Sequence, residues 1–109
     1  MTEDQLQKQV ADYLRLQHPN LLWFHPANGG SRHPAEAAKL KGMGVRPGVS
    51  DLLVFWPTGM GAIELKVGKN KMTDTQKIFA QQWMQFGGKF AECRSLDDVI
   101  DTLKDWLAK

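Results

Sequence analysis

Near the N-terminus, apolar residues recur every three or four positions, at Leu6, Val10, Tyr13 and Leu14. That spacing predicts an amphipathic helix. Thr2 can cap it, Gln5 is placed to complete a capping box, and the helix runs to about Gln17. Glu3 and Gln7 share a stripe with Leu6, Val10 and Leu14. Glu3 is therefore an acid pointing along the buried face, although the helix dipole alone also favours a first-turn carboxylate. His18, Pro19 and Asn20 break the helix. Residues 21–25 (LLWFH) read as a short strand, and residues 26–31 as a loop in which Gly29 and Gly30 permit close backbone approach. Pro34 suits the first turn of a second helix over about 35–43, with Gly42 or Gly44 at its end.

The apolar runs at 52–56 and 62–67 flank Pro57, Thr58, Gly59, Met60 and Gly61, a hairpin signature. Thr73 and Gln76 form a second capping-box pattern, opening a helix to about Phe86 with Gln76, Phe79, Trp83 and Phe86 on one stripe. Gly87 and Gly88 end that helix, residues 89–94 make a further strand, and Ser95 caps a last helix. The last helix has the stripe Leu96, Val99, Ile100, Leu103 and Trp106 or Leu107. The element order is α-β-α-β-β-α-β-α. The hairpin supplies an antiparallel pair, and the strand–helix–strand crossover that follows favours a parallel one. The predicted fold is α/β, a small mixed β-sheet flanked by helices. Trp23, Trp56, Trp83 and Trp106 fall on apolar runs or stripes and read as core.

Composition adds limits. The 109 residues suit one domain spanning 1–109. Hydrophobic content is 42% and charged content 24%, and no apolar run approaches the roughly 20 residues that cross a bilayer. The first residues are too polar for a signal peptide, and the single Cys93 excludes an internal disulfide or a cysteine-based zinc site. An intracellular, cytoplasmic protein is the expectation. The net charge of +2 is small, but its distribution is uneven. Arg32, Lys39, Lys41 and Arg46 face only Glu36 in their stretch, Lys66, Lys69, Lys71 and Lys77 follow, and the last helix carries Asp97, Asp98, Asp101 and Asp105. One part of the surface is expected to be basic and another acidic.

Three charges interrupt the hairpin's apolar runs. Asp51 opens the first, and Glu64 and Lys66 share one side of the second. Two carboxylates from neighbouring strands can share a hard divalent cation, with the Leu65 carbonyl as a further oxygen. The metal would polarise a phosphodiester and activate water, and Lys66 would neutralise developing phosphate charge or hold the attacking water. A salt bridge between Lys66 and one acid is the plainer reading of the same residues.

Here the chain resembles a known family. Asp51, twelve intervening residues and then Glu64, Leu65 and Lys66 look like the PD-(D/E)XK nuclease signature. The stretches GVRPGVSDLLVF and AIELKVGKNKMTDTQ resemble the VRR-NUC subfamily, the virus-type replication–repair nuclease domain. Glu3 with Leu6 and Gln7, the stretch 23–30 ending in Asn28, Gly29 and Gly30, and the run 39–43 before Gly44 and Val45 also match, so the resemblance spans about 3–95. Ser50 stands where a proline is usual, and the usual LSPEQ appears as MTDTQ, which keeps cap and glutamine.

The resemblance implies a restriction-endonuclease-like core and a divalent-metal-dependent DNA endonuclease. Mg²⁺ or Mn²⁺ would be held by Asp51, Glu64 and the Leu65 carbonyl, with Lys66 as catalytic lysine. Glu3 matches the family's first-helix acid near the metal. Gln76 matches a supporting glutamine, although its capping position explains it equally well. Standalone members are similar to Holliday-junction resolvases in forming homodimers and cutting branched DNA. That implies a DNA-repair role, in a host cell's cytoplasm if the chain is viral, with no membrane partner and no small-molecule cofactor. Asn28, Arg32, Lys39, Arg46, Lys69 and Lys71 are candidate phosphate contacts. His18, His25 and His33 are not at metal-ligand spacing. The alternatives are a non-catalytic nucleic-acid-binding module retaining the nuclease fold, and acids with a purely structural role.

Overall fold

The computed structural model describes residues 1–26 and 33–108. The elements are α1 (Glu3–Gln17), β1 (Leu22–Phe24), α2 (Pro34–Gly42), β2 (Leu52–Trp56), β3 (Gly59–Leu65), α3 (Asp74–Gln85), β4 (Lys89–Cys93) and α4 (Leu96–Trp106). This is the expected order. The four strands form one sheet in the order β1-β2-β3-β4. β1–β2 and β2–β3 are antiparallel, and β3–β4 is parallel across α3. The mixed α/β architecture read from the sequence is therefore the one observed.

Both capping boxes form, Thr2 with Gln5 on α1 and Thr73 with Gln76 on α3. Each satisfies two backbone groups that a helix start otherwise leaves open. The side chains of Leu52, Val54, Ile63, Leu65 and Cys93 meet Leu6, Val10 and Leu14 of α1 and Val99, Leu103 and Trp106 of α4 in one core. Burying each large apolar side chain contributes about 1.5–3 kcal/mol. The opposite sheet face is covered by α3, where Phe55 meets Trp83 edge-on and Trp83 stacks on Phe79. Both faces of β3 are thus covered, and every residue from Gly61 to Lys66 is buried. Phe86, expected on the α3 stripe, instead caps the helix at 83% exposure. α2 has no buried residue, so its helix-forming composition rather than a core face makes it helical.

The hairpin differs from expectation in one consequential way. Its turn is Pro57 and Thr58 alone, and Trp56 pairs with Gly59. Gly59, Met60 and Gly61, read as turn, are strand, and Val67 lies beyond it. Two tryptophans explain the shift. Trp56 and Trp106 stack at 5.9 Å, and a Cβ on Gly61 would lie 2.2 Å from the Trp106 ring. Gly61 is a strand residue kept bare for a ring, which in sequence resembles a turn residue.

This register sets what lies at the other end. Leu52 pairs with Ile63, so the ladder extended by one places Asp51 opposite Glu64. A five-residue turn pairing Trp56 with Ala62 would instead set Asp51 against Val67.

Candidate active site

Glu64 and Lys66 lie at the C-terminal end of β3, on the sheet face that α3 covers. Glu64 is 2% exposed and Lys66 6%. Lys66 Nζ is 3.8 Å from Glu64 Oε1. Gln76 Nε2 donates to the same oxygen at 3.1 Å. Glu64 Oε2 is buried and has no hydrogen-bond partner among the described residues. Asp51 Oδ2 accepts the Leu65 backbone N–H at 2.7 Å. That bond holds the aspartate at the mouth of the hairpin beside Glu64.

The electrostatics follow from this crowding. The Glu64 pKa is raised to about 8. Burial is the leading cause, and the Asp51 carboxylate adds to it, both by its charge and as an acceptor that favours the protonated form of Glu64. The Lys66 charge opposes the rise and the Glu3 charge adds a smaller push upward. A buried carboxyl held beside a second one, with one oxygen unpartnered, is a costly arrangement that Lys66 offsets only in part, since the pKa stays raised.

Gly48 positions the strand entry. Its φ is +84°, and a Cβ there would lie 2.5 Å from the Thr75 carbonyl oxygen. Only glycine lets the chain press on the first turn of α3 and still enter β2 in this conformation. Ser50, in the family's usual proline position, is 1% exposed, and its Oγ has no hydrogen-bond partner among the described residues.

Gln76 does both things its position suggested. Its Oε1 accepts the Thr73 backbone N–H at 2.8 Å, completing the cap, while its Nε2 reaches Glu64. An amide can do this because acceptor and donors sit on separate atoms. Glu3, in the first turn of α1, enters from the other layer. Its Oε2 accepts from Asn70 Nδ2 at 2.7 Å.

The basic residues divide. Lys39, Lys69 and Lys71 are exposed. Arg46 is engaged, its guanidinium donating to Gln82 Oε1 and lying 5.5 Å over the Phe79 ring. Asn28 and Arg32 lie outside the described residues. A cavity of about 410 Å³ runs along Lys41, Arg46 and Gly48 to Asp51 and Gln76. Among the described residues no three His, Cys, Asp or Glu side chains converge as metal ligands. The donor set on offer is thus two carboxylates and a backbone carbonyl.

Sequence reasoning missed three residues. His25, set aside for its spacing, donates from Nδ1 to the Asp51 backbone carbonyl. Asn70 read only as a polar loop residue. Arg94, read as the end of a strand, donates from Nη1 to the Gly68 carbonyl at 3.0 Å and from Nη2 to the Asn70 carbonyl at 2.6 Å. No local pattern marks these, because their partners lie 24 or more residues away.

Comparison with known proteins gives the family and the fold. The VRR-NUC domain model matches residues 1–97. A solved structure described as a VRR_NUC domain protein is 25% identical, with a TM-score of 0.81, over 98% of this chain and 88% of that one. None of the curated proteins compared matches the chain. The chain belongs to the VRR-NUC domain family, and is a nuclease-type nucleic-acid-processing domain.

Proposed function

We propose that the chain is a divalent-metal-dependent endonuclease that hydrolyses phosphodiester bonds in DNA, with branched or junction structures as substrate and a homodimer as the active form. The observation that carries this reading is the buried Glu64 carboxyl, held beside Asp51 with Oε2 unpartnered. Mg²⁺ or Mn²⁺ suits that donor set, since hard cations take carboxylate and carbonyl oxygens and keep several waters. Asp51, Glu64 and the Leu65 carbonyl would hold it. In an extended strand a residue's N–H and C=O leave on the same side, so the Leu65 carbonyl is directed toward the edge where Asp51 meets its N–H. When bound, the metal supplies Lewis-acid polarisation of the phosphate and a more acidic water.

The chain's own groups do the rest. Gln76 orients Glu64 by holding Oε1, which leaves Oε2 for the site. Lys66, drawn to the same Oε1, presents a cation where negative charge grows on the phosphate. Glu3 adds an acid from the facing layer, to orient water. Lys39, Lys69 and Lys71 offer phosphate contacts that carry affinity without reading sequence. A homodimer would present two such sites for paired cuts, in keeping with the resemblance to junction resolvases.

The test is incubation of the protein with linear duplex, flap and four-way-junction DNA, with Mg²⁺, Mn²⁺ or chelator, alongside Lys66→Ala. The expected result is metal-dependent cleavage, strongest on branched DNA and reduced about 100-fold or more in the variant. Binding without cleavage under every condition would overturn the catalytic reading in favour of a binding module. Absence of binding even at low salt would remove nucleic acid altogether.

A further inference from the structure

Between β3 and α3, the chain at 67–72 is tied down from two sides. Arg94, just past β4, spans two of its carbonyls, Gly68 O at 3.0 Å and Asn70 O at 2.6 Å. Its guanidinium is itself braced by Glu92 Oε2, 3.1 Å from Nη2, and its backbone N–H is held by Asp98 Oδ2 at 2.8 Å. The Asn70 N–H closes a turn on the Val67 carbonyl at 3.1 Å, through Gly68 at φ +58°. With its backbone held at both its N–H and its carbonyl, Asn70 sends Nδ2 across to Glu3 Oε2 at 2.7 Å. Arg94, the loop, Asn70 and Glu3 form one continuous chain of contacts, from the β4–α4 junction to the first turn of α1.

We propose that Arg94 and Asn70 are positioning residues for the nuclease reaction, acting through Glu3; this rests on the nuclease reading above. Glu3 is a flexible carboxylate on a helix end, and the Asn70 amide selects one of its orientations. Asn70 can do so only while its backbone is fixed. Arg94 fixes it, because a planar fork of N–H donors spans two carbonyls where a lysine ammonium cannot.

The test is a double-mutant cycle on the full chain, with Arg94→Lys, Asn70→Ala and the pair. Each variant is measured for kcat and KM on the DNA that the wild type cuts and for thermal midpoint, and Arg94→Lys is also compared with wild type by side-chain amide NMR of the metal-free protein. Each single substitution is expected to lower kcat about 10-fold, the scale of one charge-assisted hydrogen bond. The pair is expected to be no worse than the worse single, because both act on one contact. Arg94→Lys is expected to move the Asn70 amide signals to the position of a free amide. Losses that multiply, or that follow the thermal midpoint alone, overturn the proposal. So does an Arg94→Lys variant with unchanged kcat. If the wild type cuts no nucleic acid, the nuclease reading fails separately, and Asn70 amide signals unmoved in Arg94→Lys then overturn the coupling on their own.

Discussion

The two ends of the β2–β3 hairpin are built from opposite materials. At the turn end, Trp56 and Trp106 stack and Gly59 and Gly61 stay bare to receive their rings. At the open end, a half-buried Asp51 crowds against the buried Glu64 and Lys66. The first end stabilises and the second costs. The two are linked by register, since a closed, two-residue turn is what sets Asp51 against Glu64. The turn end can therefore hold a strained site in place without taking part in its chemistry. Burial of ionisable groups alone does not mark function. Cys93 is as buried as Glu64, and burial pushes its thiol pKa up, yet it faces the core beside Thr102.

The largest effect that would separate the two ends is at Glu64. Glu64→Gln is expected to reduce cleavage about 1,000-fold while stabilising the metal-free fold above neutral pH. The sign follows from the raised pKa. Between 4.5 and about 8 the unfolded chain releases the Glu64 proton and the folded chain keeps it. Metal-free wild-type stability from this group therefore falls as pH rises through that window, by on the order of a few kcal/mol, and is lowest above it. Urea unfolding with chelator at pH 5 and pH 8 measures the slope. A variant as steep as the wild type would show that the cost lies elsewhere.

Trp106→Ala acts at the opposite end. It is expected to cost about 3 kcal/mol of stability, with cleavage per folded molecule kept, as read by denaturant titration beside activity. A large loss of activity in the folded fraction would mean that the ring supports the site beyond setting its register. Gly61→Ala overpacks the same place and is expected to cost about 2 kcal/mol. Gly48→Ala strains the open end by a similar amount, but there activity should fall further than stability does, because the added Cβ pushes on the backbone of Thr75 and Gln76, and Gln76 holds Glu64. Equal behaviour of the two glycine variants would break the comparison. The smallest effect sharpens it. Thr73→Ala should cost about 1 kcal/mol through the lost cap with little change in kcat. Gln76→Ala loses the cap and its bond to Glu64, and should lower both.

Much of this was legible along the chain because it is local. Helix starts announce themselves by Thr and Gln three residues apart, and α1, α3 and α4 by apolar spacing. The crossover from β3 to β4 was readable because a strand followed by a helix and a strand favours a parallel pair. Asp51, Glu64 and Lys66 stood out as charges inside apolar runs, a conflict between pattern and residue that marks a site. The turn was misread in length because glycine has two uses, and sequence does not separate a bend from a space left for a ring.

The sequence by itself determined the elements, their order, the three charges at the hairpin mouth and the family, because each is written in local spacing or in short motifs that follow one another in order along the chain. Tertiary structure decided the rest. It set Asp51 opposite Glu64 through a turn closed by rings from two distant segments. It let Gln76 serve as cap and as partner of Glu64 together. It joined Arg94 to Asn70 and Asn70 to Glu3, across most of the chain's length. Such contacts form only when packed layers bring separate segments within hydrogen-bond distance, so no spacing along the chain encodes them.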